Sequence, residues 1–368
     1  MLTNLKQLFC VLILLLTYSS ALLAHHAPIN VAVVSPDTDV NNFWRVVHNF
    51  ARASAVDLDI NLKIHTRKEN NFSYIDSLRS AFETDPPPDI VLAIFYKKLL
   101  KQTLGMADEY EIPIFMFNTF VTENENNDFY IRKTYKSFLG HMHPDEKSAG
   151  YKLAKHLIRA QKEKRPNEII NVVGISGHRN SYVTQQRNLG LEKAVREEGA
   201  VLYQVVNANW SSEVSYNQAA VLMDRYPDLD VIWAASDLMA ISSGRAIKDK
   251  KMDEILTGGI DWTKEGVEKI KSGEISASVG GHFSEIGFAL VLIHDYFHGV
   301  DFYDELGGEI TTEMSLLTYD NLNKYHDFII RQDWNRVDFT RYSKVLNPSI
   351  NAYDFSFASL IDNFHASH

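Results

Sequence analysis

Short apolar runs bounded by polar residues alternate along the chain with stretches whose apolar positions recur at helical spacing. Asn30–Ser35 (NVAVVS) reads as a buried strand, and Phe43–Leu58 as a helix through Phe43, Val46, Val47, Phe50 and Ala51. Leu62–Thr66 alternates as a strand, Tyr74–Phe82 is helical, and Pro86-Pro87-Pro88 leads into the strand Asp89–Phe95. A helix over Leu99–Tyr110 and a strand over Ile112–Phe117 follow. This order predicts a parallel sheet with helices on both faces.

Val121–Tyr135 is polar, lacks a period and reads as a loop; Ser137–His143 is a short strand and Ala149–Ile158 a helix. A second series then begins: strands at Ile169–Ile175, Val201–Val206 and Asp230–Ala235, with helices at Gln185–Glu198, Ser215–Tyr226 and from Leu238 to Ile247. It continues with the strand Glu254–Ile260, a helix through Val267–Ile270, the strand Ile275–Gly280 and the helix Ile286–Phe297. Glu313–Thr318 and the amphipathic Leu322–Ile330 complete it. The fold class expected is α/β, in two lobes of like fold. The tail after Arg331 is rich in aromatics (Trp334, Phe339, Tyr342, Tyr353, Phe355, Phe357) and either packs onto a lobe or docks a partner.

In open parallel α/β sheets, ligands sit outside the carboxyl ends of the strands. After the first strand come Asp37, Asp39, Asn41, Asn42, Phe43 and Trp44, and after the fourth Asn118. The second series contributes Ser176, His178, Arg187, Asn209-Trp210, Ser236-Asp237, Asp261-Trp262 and Gly280-Gly281-His282. Carboxylates accept from paired hydroxyls, a guanidinium donates as a planar fork, and indole faces cover the C–H face of a sugar ring. The mixture suits a neutral polyhydroxylated ligand. Each residue also has a plainer use: Asp237 and Asp261 as helix caps, Trp44 as core, Arg187 as partner of Glu192 on its own helix.

Composition narrows the field. A net charge of −10 leaves no basic stripe for nucleic acid. Met1–Ala24, with Lys6, the apolar Leu8–Leu16 and a small-residue exit at Ala24, reads as a cleaved secretory signal. The only cysteine, Cys10, lies inside it, so the mature chain has no disulfide, which fits a bacterial periplasm. Neither GxGxxG nor GxxxxGK[ST] occurs, Gly174–Gly177 is not a nucleophile elbow, and no catalytic set or cofactor is expected. His141 and His143 alternate, and His25-His26 would open the mature chain. Without a cysteine or carboxylate at ligand spacing they predict no metal site.

The stretches VAVVSP…NNFW, FLGHMHPDEKSAGYKLAKHL, QQRNLGLEKA, SDLMAISSGRAI, GGIDWTKEGVEKIKSGEISASV and IGFALVLIHDYFHG, in this order, resemble the periplasmic sugar-binding proteins of the ribose/galactose-binding type, relatives of Lac-repressor-type ligand domains. The resemblance runs from about Ile29 to Tyr325. It implies two Rossmann-like lobes joined by three crossings and closing on a ligand by hinge motion: 25–139 with 282–318, and 140–281 with 319–330, the tail 331–368 packing on a lobe. Asn41, Phe43, Trp44 and Asn118 match the first lobe's contacts; Arg187, Trp210, Ser236, Asp237 and Asp261 match the second lobe's. Gly281 stands where the family carries a polar contact, and Asn118 replaces the more acidic pair of the ribose type. The aromatic pair and long tail are also similar to the autoinducer-2-binding member, from which Ile260-Asp261 and Gly281 differ. The resemblance implies a protein that is monomeric when free, captures a sugar or polyol, performs no chemistry, and hands the ligand to a membrane ABC importer or reports it to a membrane sensor.

Overall fold

The computed structural model describes residues 27–37, 42–67, 71–95, 99–120 and 131–366. The expected leader Met1–Ala24, Asn41 and most of the loop after Val121 lie outside them. The first series contains β1 (Ile29–Pro36), α1 (Asn42–Asp57), β2 (Ile60–Arg67), α2 (Asn71–Phe82), β3 (Ile90–Ile94), α3 (Leu100–Tyr110), β4 (Ile114–Phe117) and β5 (Phe138–Pro144). The second contains α4 (Glu146–Lys164), β6 (Asn171–Ser176), α5 (Tyr182–Glu197), β7 (Val201–Asn207), α6 (Ser212–Arg225), β8 (Val231–Ala234), α7 (Asp237–Asp249), β9 (Leu256–Ile260), α8 (Lys264–Ser272) and β10 (Ala277–Gly280). The chain ends with α9 (Glu285–Phe297), α10 (Tyr303–Leu306), β11 (Glu309–Thr312), β12 (Ser315–Thr318), α11 (Leu322–Arg331) and α12 (Phe357–Ala366).

Two six-stranded sheets result, ordered β11-β5-β4-β3-β1-β2 and β12-β10-β9-β8-β6-β7. The first is parallel throughout, and the second is parallel except for β12, which runs antiparallel to β10. Strands β3, β4 and β8 are buried along their whole length, which is why their sequences are continuous apolar runs rather than alternating ones. Each sheet organises one α/β lobe.

The chain passes between the sheets at Asp145, at Gly281–Ser284 and between Thr312 and Ser315. Two expected boundaries therefore move. All of β5 pairs in the first sheet, so the first passage follows Pro144 rather than residue 139. Ser315–Thr318 pairs with β10, so it belongs to the second sheet. Each edge had a free row of backbone groups for a strand to pair with, and sequence does not reveal which edge a short strand takes. β11 (EITT), too short and too exposed for an apolar run, and α12 were not foreseen.

Close helix packing sets up the site. A Cβ on Gly150 would lie 2.1 Å from the Arg187 carbonyl oxygen, and one on Gly190 2.1 Å from that of Lys147. Glycine at both places lets α4 and α5 touch backbone to backbone, and Arg187 thereby reaches the first turn of α4. The tail packs on α1 and α9: Phe50 is ringed by Phe283, Trp334 and Phe339, and Asp295 accepts from the Tyr353 hydroxyl at 2.9 Å and the Lys344 N–H at 2.6 Å. Phe357 then reaches Trp262 across the middle crossing, ring centroids 4.8 Å apart.

Candidate ligand-binding site

At the carboxyl end of β8, Ser236 caps α7 by accepting the Met239 N–H at 3.3 Å. Asp237 follows and is wholly buried. One of its oxygens accepts the Thr263 N–H at 2.7 Å and the Thr263 hydroxyl at 3.0 Å; the other accepts the Ser278 hydroxyl at 2.6 Å. Ser278 in turn takes the Trp262 indole N–H on its carbonyl at 3.1 Å. Asp237 and Ser278 thus fix the loop after β9, in which Asp261 and Trp262 have φ of 138° and 57°. A non-glycine residue in such a conformation costs about 1–3 kcal/mol, and it persists only where its surroundings over-determine it. Burial raises the Asp237 pKa, and the donors from Ser278 and Thr263 pull it back down.

Arg187 is 3% exposed. It donates to both Glu146 oxygens, at 2.5 and 3.1 Å, and to the Ala235 carbonyl at 2.7 Å. Its partner is therefore Glu146 at the first crossing and not Glu192 on its own helix. The paired geometry is the planar fork that guanidinium and carboxylate share. The same Nη1 lies 3.6 Å from Asp261 Oδ1. Burial pushes the Asp261 carboxyl well above the usual carboxylate range, only partly offset by Arg187. The Trp210 ring lies 6.0 Å from the guanidinium carbon and packs directly on the Gly177 backbone.

The first lobe contributes rings. Phe43 and Trp44 open α1 and are both buried, Trp44 edge-on to Phe117 at 6.4 Å. Phe43 stacks on His282, centroids 4.5 Å apart, and His282 Nε2 is 3.7 Å from Asp261 Oδ1. Burial depresses the His282 pKa well below its usual value, so the imidazole is neutral, and among the described residues its Nδ1 has no hydrogen-bond partner. Asn118, with φ of 62°, ends β4 and sits against Glu285, whose carboxyl burial pushes up to about 8. A continuous run, Phe43–His282–Asp261–Arg187–Trp210, therefore joins the strand ends of both sheets through the middle crossing.

Two α/β lobes joined in this way have counterparts among known proteins. Residues 31–294 match the family described as the periplasmic binding protein domain. The chain belongs to the periplasmic binding protein family. Among curated relatives, the ribose import binding protein of Salmonella typhimurium is 23% identical over 190 residues, covering 52% of this chain and 58% of the relative. That of Haemophilus influenzae is 28% identical over 147 residues, 40% of this chain and 49% of the relative. The chain thus spans about half the length of the curated relatives it matches. A periplasmic sugar-binding protein from Pseudomonas fluorescens superposes with a TM-score of 0.81 at 25% identity, over 90% of this chain and 99% of that one. A solute-binding protein from Actinobacillus succinogenes, solved with bound D-allose, gives a TM-score of 0.70 at 17% identity, over 81% and 100%.

Of the residues expected at the site of this binding protein, the structure brings Phe43, Asp261, Arg187 and Trp210 into one run, with Trp44 and Asn118 on the first-lobe rim. Ser236 and Asp237 stand beside it as a cap and a buried anchor. Asn41 lies outside the described residues. Glu146, Glu285 and Ser278 were missed. The polar HPDEK stretch at the first crossing was the available signal for Glu146; nothing local marks Ser278. Among the described residues no helix is long and apolar enough to cross a membrane.

Proposed function

We propose that the chain is a periplasmic solute-binding protein that captures a neutral sugar or polyol between its lobes and hands it to a membrane importer of the ABC type. The observation that carries this reading is the Phe43–His282–Asp261–Arg187–Trp210 run. It offers an acceptor, a charged donor and an unpartnered imidazole nitrogen between aromatic rings, a set matched to hydroxyls and an apolar ring face. The printed descriptions of the relatives, ribose import and allose binding among them, point the same way. Asp261, Arg187 and Asn118 would hold hydroxyls, Trp44 and Trp210 would cover the ring, and Asp237 would act indirectly by holding the Asp261 loop. No nucleophile–base pair enters this reading, so the work is binding and hinge closure rather than turnover.

A thermal-shift screen of the mature protein against ribose, allose, arabinose, galactose and myo-inositol tests it. A ligand that binds only the folded form raises Tm as its concentration rises, by RT ln(1 + [L]/Kd) in stability. One sugar that raises Tm in this way supports the reading; a flat response across the panel overturns it.

A further inference from the structure

β5 and β11 lie side by side as they approach the first and third crossings. Their register sets Glu309 opposite His141 and Thr311 opposite His143, so the four side chains share one face of the ladder. One ligating atom from each of His141, His143 and Glu309 can be chosen so that all lie within 4.8 Å of one another. His143 Nε2 is 3.6 Å from Glu309 Oε1 and 3.3 Å from the Thr311 hydroxyl oxygen. Phe120 stands over both imidazoles, at 5.7 Å from His141 and 4.6 Å from His143.

His141 supplies a second observation. It is 1% exposed, and among the described residues neither of its ring nitrogens has a hydrogen-bond partner. A buried polar group left without a partner is costly, and a metal ion is one partner that this imidazole could take. The Glu309 side chain is half exposed, which opens a path from solvent.

We propose that His141, His143 and Glu309 form a binding site for a divalent transition-metal ion of the zinc class, with a fourth position open to water or the Thr311 hydroxyl. Two imidazoles and one carboxylate are a donor set that zinc accepts with a position left open, whereas calcium and magnesium demand oxygen ligands. Metal–ligand bonds of about 2.0–2.2 Å require the three groups to draw together, which the half-exposed Glu309 side chain can do by rotation. An ion held there would tie β11 to β5 just before the chain crosses between lobes, where the Asp145 N–H already donates to the Thr312 carbonyl at 2.9 Å.

The test is calorimetric titration of chelator-treated, sugar-free protein with Zn²⁺. It is run on a full mature chain carrying His25→Ala and His26→Ala, which removes the adjacent histidine pair expected at the start of the mature chain. One Zn²⁺ per chain is expected, with affinity reduced at least tenfold by Glu309→Gln and about a hundredfold by His143→Ala, and with Mg²⁺ not binding. Co²⁺ should give the intense visible bands of a low-coordinate site. The proposal is overturned if Zn²⁺ does not bind stoichiometrically, if both variants bind it as the parent does, or if Mg²⁺ binds equally well. Should His143→Ala fail to fold by circular dichroism, Glu309→Gln decides alone, because its side chain sits half in solvent.

Discussion

On the first-lobe side the interlobe boundary is edged by Phe43, Trp44 and Phe117, which are held mainly by packing, with Asn118 beside Glu285. On the second-lobe side it is edged by Arg187, Asp261 and Trp210, which are held by a dense scaffold: Glu146 and the Ala235 carbonyl grip Arg187, and Asp237 and Ser278 grip the Asp261–Thr263 loop. On the proposed reading, the difference would divide the labour of recognition. Packed rings supply area and exclude water but impose little direction. Hydrogen-bonded charges impose direction, at the cost of desolvation and backbone strain. Affinity for any polyol should therefore depend on both rims, and discrimination among hydroxyl patterns chiefly on the second.

The largest break in this comparison is expected from Arg187→Met. It strands Glu146 as a buried, unpaired carboxylate and should destabilise the fold by about 3–5 kcal/mol in urea denaturation, with sugar binding lost. Asp237→Asn and Asp261→Asn sharpen the contrast within the second rim. The first should cost about 1–3 kcal/mol, because Thr263 and Ser278 lose a charged acceptor. The second should leave Tm unchanged or slightly raised, since burial already penalises that carboxyl, yet weaken sugar binding by roughly ten- to a hundredfold in calorimetry. On the first rim, Trp44→Ala should lower affinity by only about five- to tenfold for every sugar that binds, with the rank order kept.

The last break concerns Glu285 and shows only as pH rises. Its folded carboxyl keeps its proton to about pH 8, whereas the unfolded one releases it near 4.5. Between those values the unfolded state binds fewer protons, so this group's contribution makes stability fall as pH rises through the window. Glu285→Gln removes that dependence. The variant's Tm should equal the parent's at pH 4 and exceed it increasingly towards pH 8, by about 5 °C or more there. Equal curves at both ends would show that Glu285 is ionised in the folded protein.

Much of this architecture was legible because strands buried on both faces must be continuous apolar runs, and the residues just beyond them must be polar. The two aspartates show where such reading stops. Asp237 and Asp261 both stand just past the end of a buried strand and read alike. What separates them is that Thr263 and Ser278, 26 and 41 residues downstream of Asp237, fold back to occupy its oxygens. Arg187 likewise found Glu146, 41 residues upstream, rather than Glu192 on its own helix, because Gly150 and Gly190 bring two helices into contact. The histidine pair at 141 and 143 carried no ligand spacing of its own. Its carboxylate arrives on β11, a strand whose exposed alternate residues leave no apolar run to find.

The most direct test of the central claim is a calorimetric titration with ribose, allose, arabinose, galactose and myo-inositol, run in parallel on the parent protein, Asp261→Asn and Trp44→Ala. The account predicts one-to-one binding of at least one of these, a large loss of affinity in Asp261→Asn and a modest one in Trp44→Ala. Binding that neither substitution disturbs would contradict it, because the ligand would then lie outside the crevice that the two rims enclose.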